Sequence, residues 1–291
     1  MELLERWRAA IEAESDALVR LRDELVAIPS VNRPPHGEEA AAQRFLADRL
    51  WSLGMPASLA MVEREAEEVR RHPVFRPDRD LSDRPQLTAV LDGAGGGRNL
   101  LLAGHVDTPA PEAPGDAPVV AGGKAGLACI VHALACLEPA GIRLAGTVTV
   151  ASLVDECGLG GQGALGLAYI GVTAEAALYV AGLAPQVCLE GDAAPPNGEG
   201  VAVECWRCSD DGFAEVCRKV AGATGAREAA CSPNGCAPFL LSNYGGLPVA
   251  VLGDPAEPPP ESVPADRDAL VAQAGRVAAV LAVWCGEAAD A

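Results

Sequence analysis

Leu100-Leu101-Leu102 runs through Ala103-Gly104 into His105-Val106-Asp107-Thr108. Read as a buried strand, this stretch delivers an imidazole and a carboxylate at its C-terminal tip. The two residues are two apart and so share one side of an extended chain. In open α/β sheets, ligands bind in the crevice at the carboxyl ends of the strands. A carboxylate that orients a histidine is also a common companion of a metal-bound imidazole. On its own, the pair fits a hydrogen-bonded core histidine equally well. Downstream, Thr147 to Val154 reads as a second buried strand with Asp155-Glu156-Cys157 at its carboxyl end. Glu156 and Cys157 are therefore expected beside the His105 tip, where a positioned carboxylate or imidazole can move protons at a substrate.

The flanking pattern supplies the scaffold. Residues 1–28 read as one helix, with Leu18, Leu21, Leu25 and Ile28 at three- and four-residue spacing, stopped by Pro29. A loop at 32–37, a helix from Glu38 to Leu53 and an irregular charged stretch at 55–84 follow, with His72 as a solvated loop residue. A strand at 86–91 turns through Gly93-Ala94-Gly95-Gly96-Gly97 into the strand at 99–104. Lys124 to Leu137 reads as a helix with Leu127, Ile130, Val131 and Leu134 inward and His132 on its surface. Further elements are a helix at 162–169, strands at 177–181 and 201–206, a helix at 210–221, a strand at 248–252, a Pro-rich loop at 255–264 and a helix at 266–284. Strands alternating with helices predict an α/β fold, a single three-layer αβα domain with a mixed, mostly parallel sheet over 1–291.

Composition narrows the partners. The 291 residues are 49% hydrophobic, enough for one large core, and 22 Lys+Arg against 40 Asp+Glu leave a net charge of −18. Such a surface repels nucleic acid and anionic membranes, so a small-molecule substrate is expected. The N-terminus starts a charged amphipathic helix without a secretory pattern, and no apolar run reaches the roughly 20 residues that span a bilayer. The expectation is a cytoplasmic protein. Ten cysteines then read as thiols, with Cys129, Cys136 and Cys285 packed as small hydrophobes.

Taken in series, Leu25-Val26-Ala27-Ile28-Pro29-Ser30-Val31-Asn32, Arg84 to Gly93, the His105 strand and Leu153-Val154-Asp155-Glu156 resemble the M20 family of zinc peptidases and deacylases. That family includes acetylornithine deacetylase, succinyl-diaminopimelate desuccinylase and aminoacylase. The resemblance implies a site with two zinc ions bridged by an aspartate and a glutamate as general base. It places the first ligand at His105, its supporting carboxylate at Asp107 and the general base at Glu156. It departs at the metal: the bridging aspartate falls on Gly122, the adjacent ligand glutamate on Cys157, a third carboxylate on Gly182 and the last histidine on Glu257. It also implies a lid domain that carries the dimer contact, and here only the short turn at 193–200 stands in its place. A monomer, or a dimer formed through another surface, is therefore expected.

Zinc lowers the pKa of bound water from about 15.7 to about 7. Without it Glu156 would face ordinary water, a loss of up to ~12 kcal/mol at about 1.36 kcal/mol per pK unit. The reading is thus a repurposed hydrolase-like enzyme for a small amino-acid-like or amide substrate. Its chemistry would be acid–base cyclisation, elimination, acyl transfer or hydrolysis by Glu156, His105 and Asp107, with Lys124, Cys157 and Glu257 in the pocket and no cofactor expected. One alternative is an inactive member that binds a ligand or partner. Another is an amidohydrolase holding one zinc on His105, Cys157 and Glu257. Two further motifs point elsewhere. Gly158 to Gly163 matches G-x-G-x-x-G but lacks the acidic residue about 20 positions on that a dinucleotide site needs. Cys205, Cys208, Cys231 and Cys236 have spacings that suit a structural zinc, although alternate strand residues face apart.

Overall fold

The computed structural model describes residues 2–62, 66–110, 122–157, 160–193, 204–231, 237–254 and 266–289. The first half of the chain contributes α1 (Glu2–Ala13), α2 (Ser15–Ala27), β1 (Val31–Arg33), β2 (His36–Gly37), α3 (Ala40–Ser52), β3 (Ala57–Met61), α4 (Glu67–Arg70), β4 (Pro85–Leu91), β5 (Leu100–His105) and β6 (Thr108–Pro109). Next come α5 (Gly122–Ala135), β7 (Val148–Leu153), α6 (Gln162–Ile170), β8 (Ala176–Val180), β9 (Gln186–Cys188), β10 (Glu190–Ala193) and β11 (Glu204–Arg207). The chain closes with α7 (Asp211–Ala223), β12 (Arg227–Glu228), α8 (Ala237–Asn243), β13 (Val249–Leu252) and α9 (Arg267–Trp284).

Eight strands form one mixed sheet in the order β12-β9-β13-β8-β5-β7-β4-β3. Its centre, β13-β8-β5-β7, is parallel, and β4 and β3 continue antiparallel at one edge. The central strands read as unbroken apolar runs because both faces are covered. Along β5 the alternation is visible in what each residue joins. Leu100 and Leu102 pack with α1, α2, α3, α5, α7 and α9, whereas Leu101 and Ala103 pack with α6 and α8. These are the three layers of an α/β fold with helices on both faces of a mostly parallel sheet.

Several local expectations are revised. The single helix at 1–28 is two, α1 and α2. The break comes where the Ser15 hydroxyl donates to the Glu12 carbonyl at 2.6 Å, competing with the backbone ladder, and Arg267 donates to the same hydroxyl. The stretch at 55–84 contains an edge strand, β3, whose exposed residues lack a polar alternation that would reveal it. His132 is buried rather than on the surface, since α1 lies across α5 there and its Trp7 donates to the Ala133 carbonyl at 2.8 Å. His72 is half-buried, edge-on against Tyr244 with ring centroids 3.9 Å apart. Residues 194–200 of the expected turn, Gly158 and the Pro-rich loop with Glu257 lie outside the described residues. Among the described residues no helix is long and apolar enough to cross a membrane.

The central strand dominates the packing, so Leu102→Ala should lower unfolding free energy by about 2–5 kcal/mol in urea titration. Met61→Ala, at a side chain 51% exposed on the edge, should stay within about 0.5 kcal/mol.

Candidate active site at the strand tips

β5 and β7 are parallel neighbours with His105 in register with Leu153, so their C-terminal loops emerge side by side. The β5 loop carries Asp107, which is fully buried, while the His105 side chain is 14% exposed. His105 Nδ1 lies 3.1 Å from Asp107 Oδ1. The other carboxylate oxygen accepts from Asn32 Nδ2 at 2.9 Å and from the Cys157 backbone N–H at 2.7 Å. Both oxygens of Asp107 are therefore engaged, and the imidazole is held by its Nδ1 side. A side chain at Gly123 would collide with His105 Nε2 and the His105 carbonyl, so glycine is required where α5 begins against the ring.

Asn32, on β1, ties the two tips together. Its one NH2 group also reaches Asp155 Oδ1 at 3.0 Å and the Cys157 carbonyl at 2.9 Å. Asp155 itself adopts φ 58°, a left-handed conformation, and is gripped from the other side by Arg84 at 3.3 Å and Arg79 at 3.8 Å. Arg84 in turn donates to Glu39 at 2.8 Å. Glu39, Arg79, Arg84 and Asp155 are all buried. None of these five partners was singled out from the sequence. Asn32, Arg84 and Asp155 stand inside the stretches that carry the family resemblance, and nothing in their spacing shows that they meet.

Glu156 turns inward from the loop. It is 4% exposed, its Oε1 accepts from the Ala164 N–H at 3.3 Å, and its Oε2 is buried without a hydrogen-bond partner among the described residues. Burial, and then the charges of Asp107 and Asp155, push its carboxyl well above the ordinary value. Asp107 goes the other way. Burial opposes its charge, but the bonds from His105, Cys157 and Asn32 prevail and hold it below the usual range. Lys124, at the start of α5, is buried with Nζ on the Ile28 carbonyl at 2.5 Å. Burial lowers its pKa to about 8 against the opposing pull of Asp107.

His105, Asp107 and Cys157 offer ligand atoms all within 4.8 Å of one another, and Glu156 lies outside that group. The Cys157 sulfur is 4.0 Å from His105 Nδ1, the nitrogen that already faces Asp107. Burial and the nearby carboxylates push its thiol well above the ordinary value, so without a cation it is a poor nucleophile. A Cβ at Gly122 would stand 3.0 Å from the Ala181 carbonyl and 3.1 Å from Gly182 Cα. The two positions thus meet backbone to backbone. Of the cysteine group, Cys205 is exposed and bonds Asp192, Cys208 is buried beside Asp210, and Cys231 is buried in the core that holds Cys188. These three do not form a metal-binding group among the described residues, and Cys236 lies outside them.

The peptidase-like αβα fold is shared with solved structures. A tripeptidase from Staphylococcus aureus superposes with a TM-score of 0.65 at 13% identity, covering 93% of this chain and 98% of that one. The aminopeptidase PepT from Bacillus cereus gives 0.65 at 15%, covering 92% and 98%. A glutaminyl cyclase from Bacteroides thetaiotaomicron, solved with N-acetylhistamine, gives 0.63 at 13%, covering 92% and 97%. At these identities the likeness is one of fold. No family profile and no curated protein matches the sequence.

A raised carboxyl in the folded state means that the native protein keeps a proton which the unfolded chain releases near pH 4.5. Its contribution is fully present below that pH and is lost as pH rises toward the folded-state pKa. In metal-free protein, Glu156→Gln should therefore flatten the fall in stability as pH rises above 4.5. Urea midpoints measured across that range for both proteins check the sign.

Proposed function

We propose that this chain processes a small amino-acid-like or amide substrate at the tips of β5 and β7 by acid–base chemistry, as a member of the M20 group without its co-catalytic zinc pair. The observation that carries this reading is the His105–Asp107 pair. A fully buried carboxylate with both oxygens engaged fixes the Nδ1–H tautomer and leaves Nε2 as the imidazole's working atom. His105 takes the proton from the attacking water or amine, and an acid returns one to the departing nitrogen. We assign that acid to Glu156, whose carboxyl burial and the neighbouring Asp107 and Asp155 push well above the ordinary value. Lys124 and Cys157 border the site. Peptide-like hydrolysis and ring closure by acyl transfer use the same two proton movements. Solved neighbours that are a tripeptidase and a glutaminyl cyclase support that range.

A zinc pair does not suit these residues. The places where the resemblance calls for carboxylates, Gly122 and Gly182, face each other as bare backbone. A single ion has one observation in its favour, the convergence of His105, Asp107 and Cys157. Those three would hold it, and such an ion polarises a carbonyl or acidifies water. We also propose that the chain forms one domain with no inserted lid, and that it is a cytoplasmic protein whose partners are small molecules.

Turnover should be sought with aminoacyl anilides, N-acyl amino acids and glutaminyl peptides. On the substrate found, His105→Ala and Asp107→Asn should lower kcat/KM by about 10²–10⁴, and Glu156→Gln by about 10² or more. Full activity in all three variants would reject His105, Asp107 and Glu156 as the catalytic groups, and no turnover of any of these probes would leave a binding protein. Elemental analysis of purified protein should return no more than one zinc per chain. Two tightly bound equivalents would restore the zinc pair.

A further inference from the structure

Cys188 of β9 and Cys231 just past β12 have no part in the strand-tip reading, and the structure brings their thiols together. β9 and β12 are parallel neighbours at the edge of the sheet, with Val187 in register with Glu228. Beyond that pair the Ala229 N–H donates to the Val187 carbonyl at 3.0 Å, and the Cys231 N–H to the Glu190 carbonyl at 3.0 Å. Cys231 is thereby laid against the stretch that carries Cys188, and both side chains join one apolar cluster. A Cβ at Gly191 would stand 2.6 Å from Cys231 Cβ, so glycine there leaves the cysteine its place. The Cys231 thiol donates to the Cys188 sulfur.

This contact sets the pair apart. Cys205 and Cys208 have the spacing of a C-x2-C motif, yet one bonds Asp192 and the other the Asp210 carbonyl. Donation from Cys231 holds the Cys188 thiol below its ordinary range, against the opposing effect of burial. Every other described cysteine is pushed up. The thiolate is the form that attacks a disulfide, so Cys188 is the natural first nucleophile. Access comes from the edge. β12 is two residues long and exposed, and Ala230 beside Cys231 is exposed as well. Short edge segments of this kind open locally far more readily than a core strand does.

We infer that Cys188 and Cys231 form a reversible dithiol–disulfide site for a small-molecule disulfide of the glutathione type, which locks the sheet edge when closed. Lifting β12 from β9 admits the oxidant. The Cys188 thiolate attacks one sulfur of that disulfide and displaces one thiolate. The Cys231 thiolate then attacks the Cys188 sulfur and displaces the second. One S–S bond forms in the protein and one breaks in the oxidant. The two cysteine protons pass to the two released thiols. The new bond closes residues 188–231 into a loop that contains β10, β11 and α7, and it keeps Cys231 against β9. The inference shares no residue with the strand-tip reading and does not depend on it.

The test incubates the full, reduced chain in glutathione buffers of graded reduced-to-oxidised ratio, then traps free thiols by acid and alkylation. Peptide mapping without reductant should find one bond, Cys188–Cys231, reversed by dithiothreitol. Hydrogen exchange at the Ala229 and Cys231 amides should slow about tenfold or more in the oxidised protein. Cys231→Ser should abolish both effects, whereas Cys205→Ser should leave them unchanged. Should Cys231→Ser not fold, the peptide map and exchange rates of the unaltered chain decide alone. Free thiols at both positions in oxidised glutathione, a bond between other cysteines, or a persistent mixed disulfide would overturn the inference. So would unchanged amide exchange once the bond has formed.

Discussion

Asn32 holds the strand tips in register, and the geometry of the candidate site depends on that one carboxamide. Four carboxyl groups, Glu39, Asp107, Asp155 and Glu156, are buried in one polar layer above the sheet, facing Arg79, Arg84 and Lys124. Buried charges are tolerated only when paired and hydrogen-bonded. Asn32 donates at once to the loop after β5, through Asp107, and to the loop after β7, through Asp155 and the Cys157 carbonyl. Being neutral, it bridges two carboxylates without adding to their repulsion. An aspartate there would place a third anion between them.

The same network explains a backbone feature that would otherwise be unfavourable. A left-handed conformation costs a non-glycine residue roughly 1–2 kcal/mol, though aspartate is among the more tolerant. At Asp155 that cost is offset because the conformation aims the carboxylate at Asn32, Arg84 and Arg79 together. It also sends Glu156 and Cys157 in different directions. Glu156 goes inward to the Ala164 N–H, and Cys157 toward Asp107 and His105. Two adjacent residues thereby acquire different chemistry, one a buried carboxyl with a raised pKa and the other a thiol at the imidazole's Nδ1 side.

The layering separates the strand tips from the antiparallel edge of the sheet. At the strand tips, polar groups from β1, β5, β7 and α5 converge, with both Asp107 oxygens engaged but Asn32 Oδ1, Asp155 Oδ2 and Glu156 Oε2 buried without a hydrogen-bond partner among the described residues. At the antiparallel edge, the helix layer stops short of β4 and β3. The first region is preorganised, with its imidazole oriented from behind. The second is open and free of cationic side chains.

Much of the scaffold is legible in the residues alone. The unbroken apolar runs of β5, β7 and β8 and the apolar spacing in α5 are local signals, because a strand buried on both faces has no other composition to choose. The placement of His105 and Asp107 at a strand's carboxyl end follows in the same way, and so does Glu156 after β7. What is not local is not legible. The edge strand β3 has no alternation because it is held by pairing with β4, not by burial. His132 looks like a surface residue until α1 covers it. Above all, the reach of Asn32 to residues 75, 123 and 125 positions away, and the inward turn of Glu156, were decided only when β1, β5 and β7 were brought together. Periodicity reports what a residue buries, whereas hydrogen bonds between distant loops depend on the three-dimensional meeting of strands that no spacing encodes.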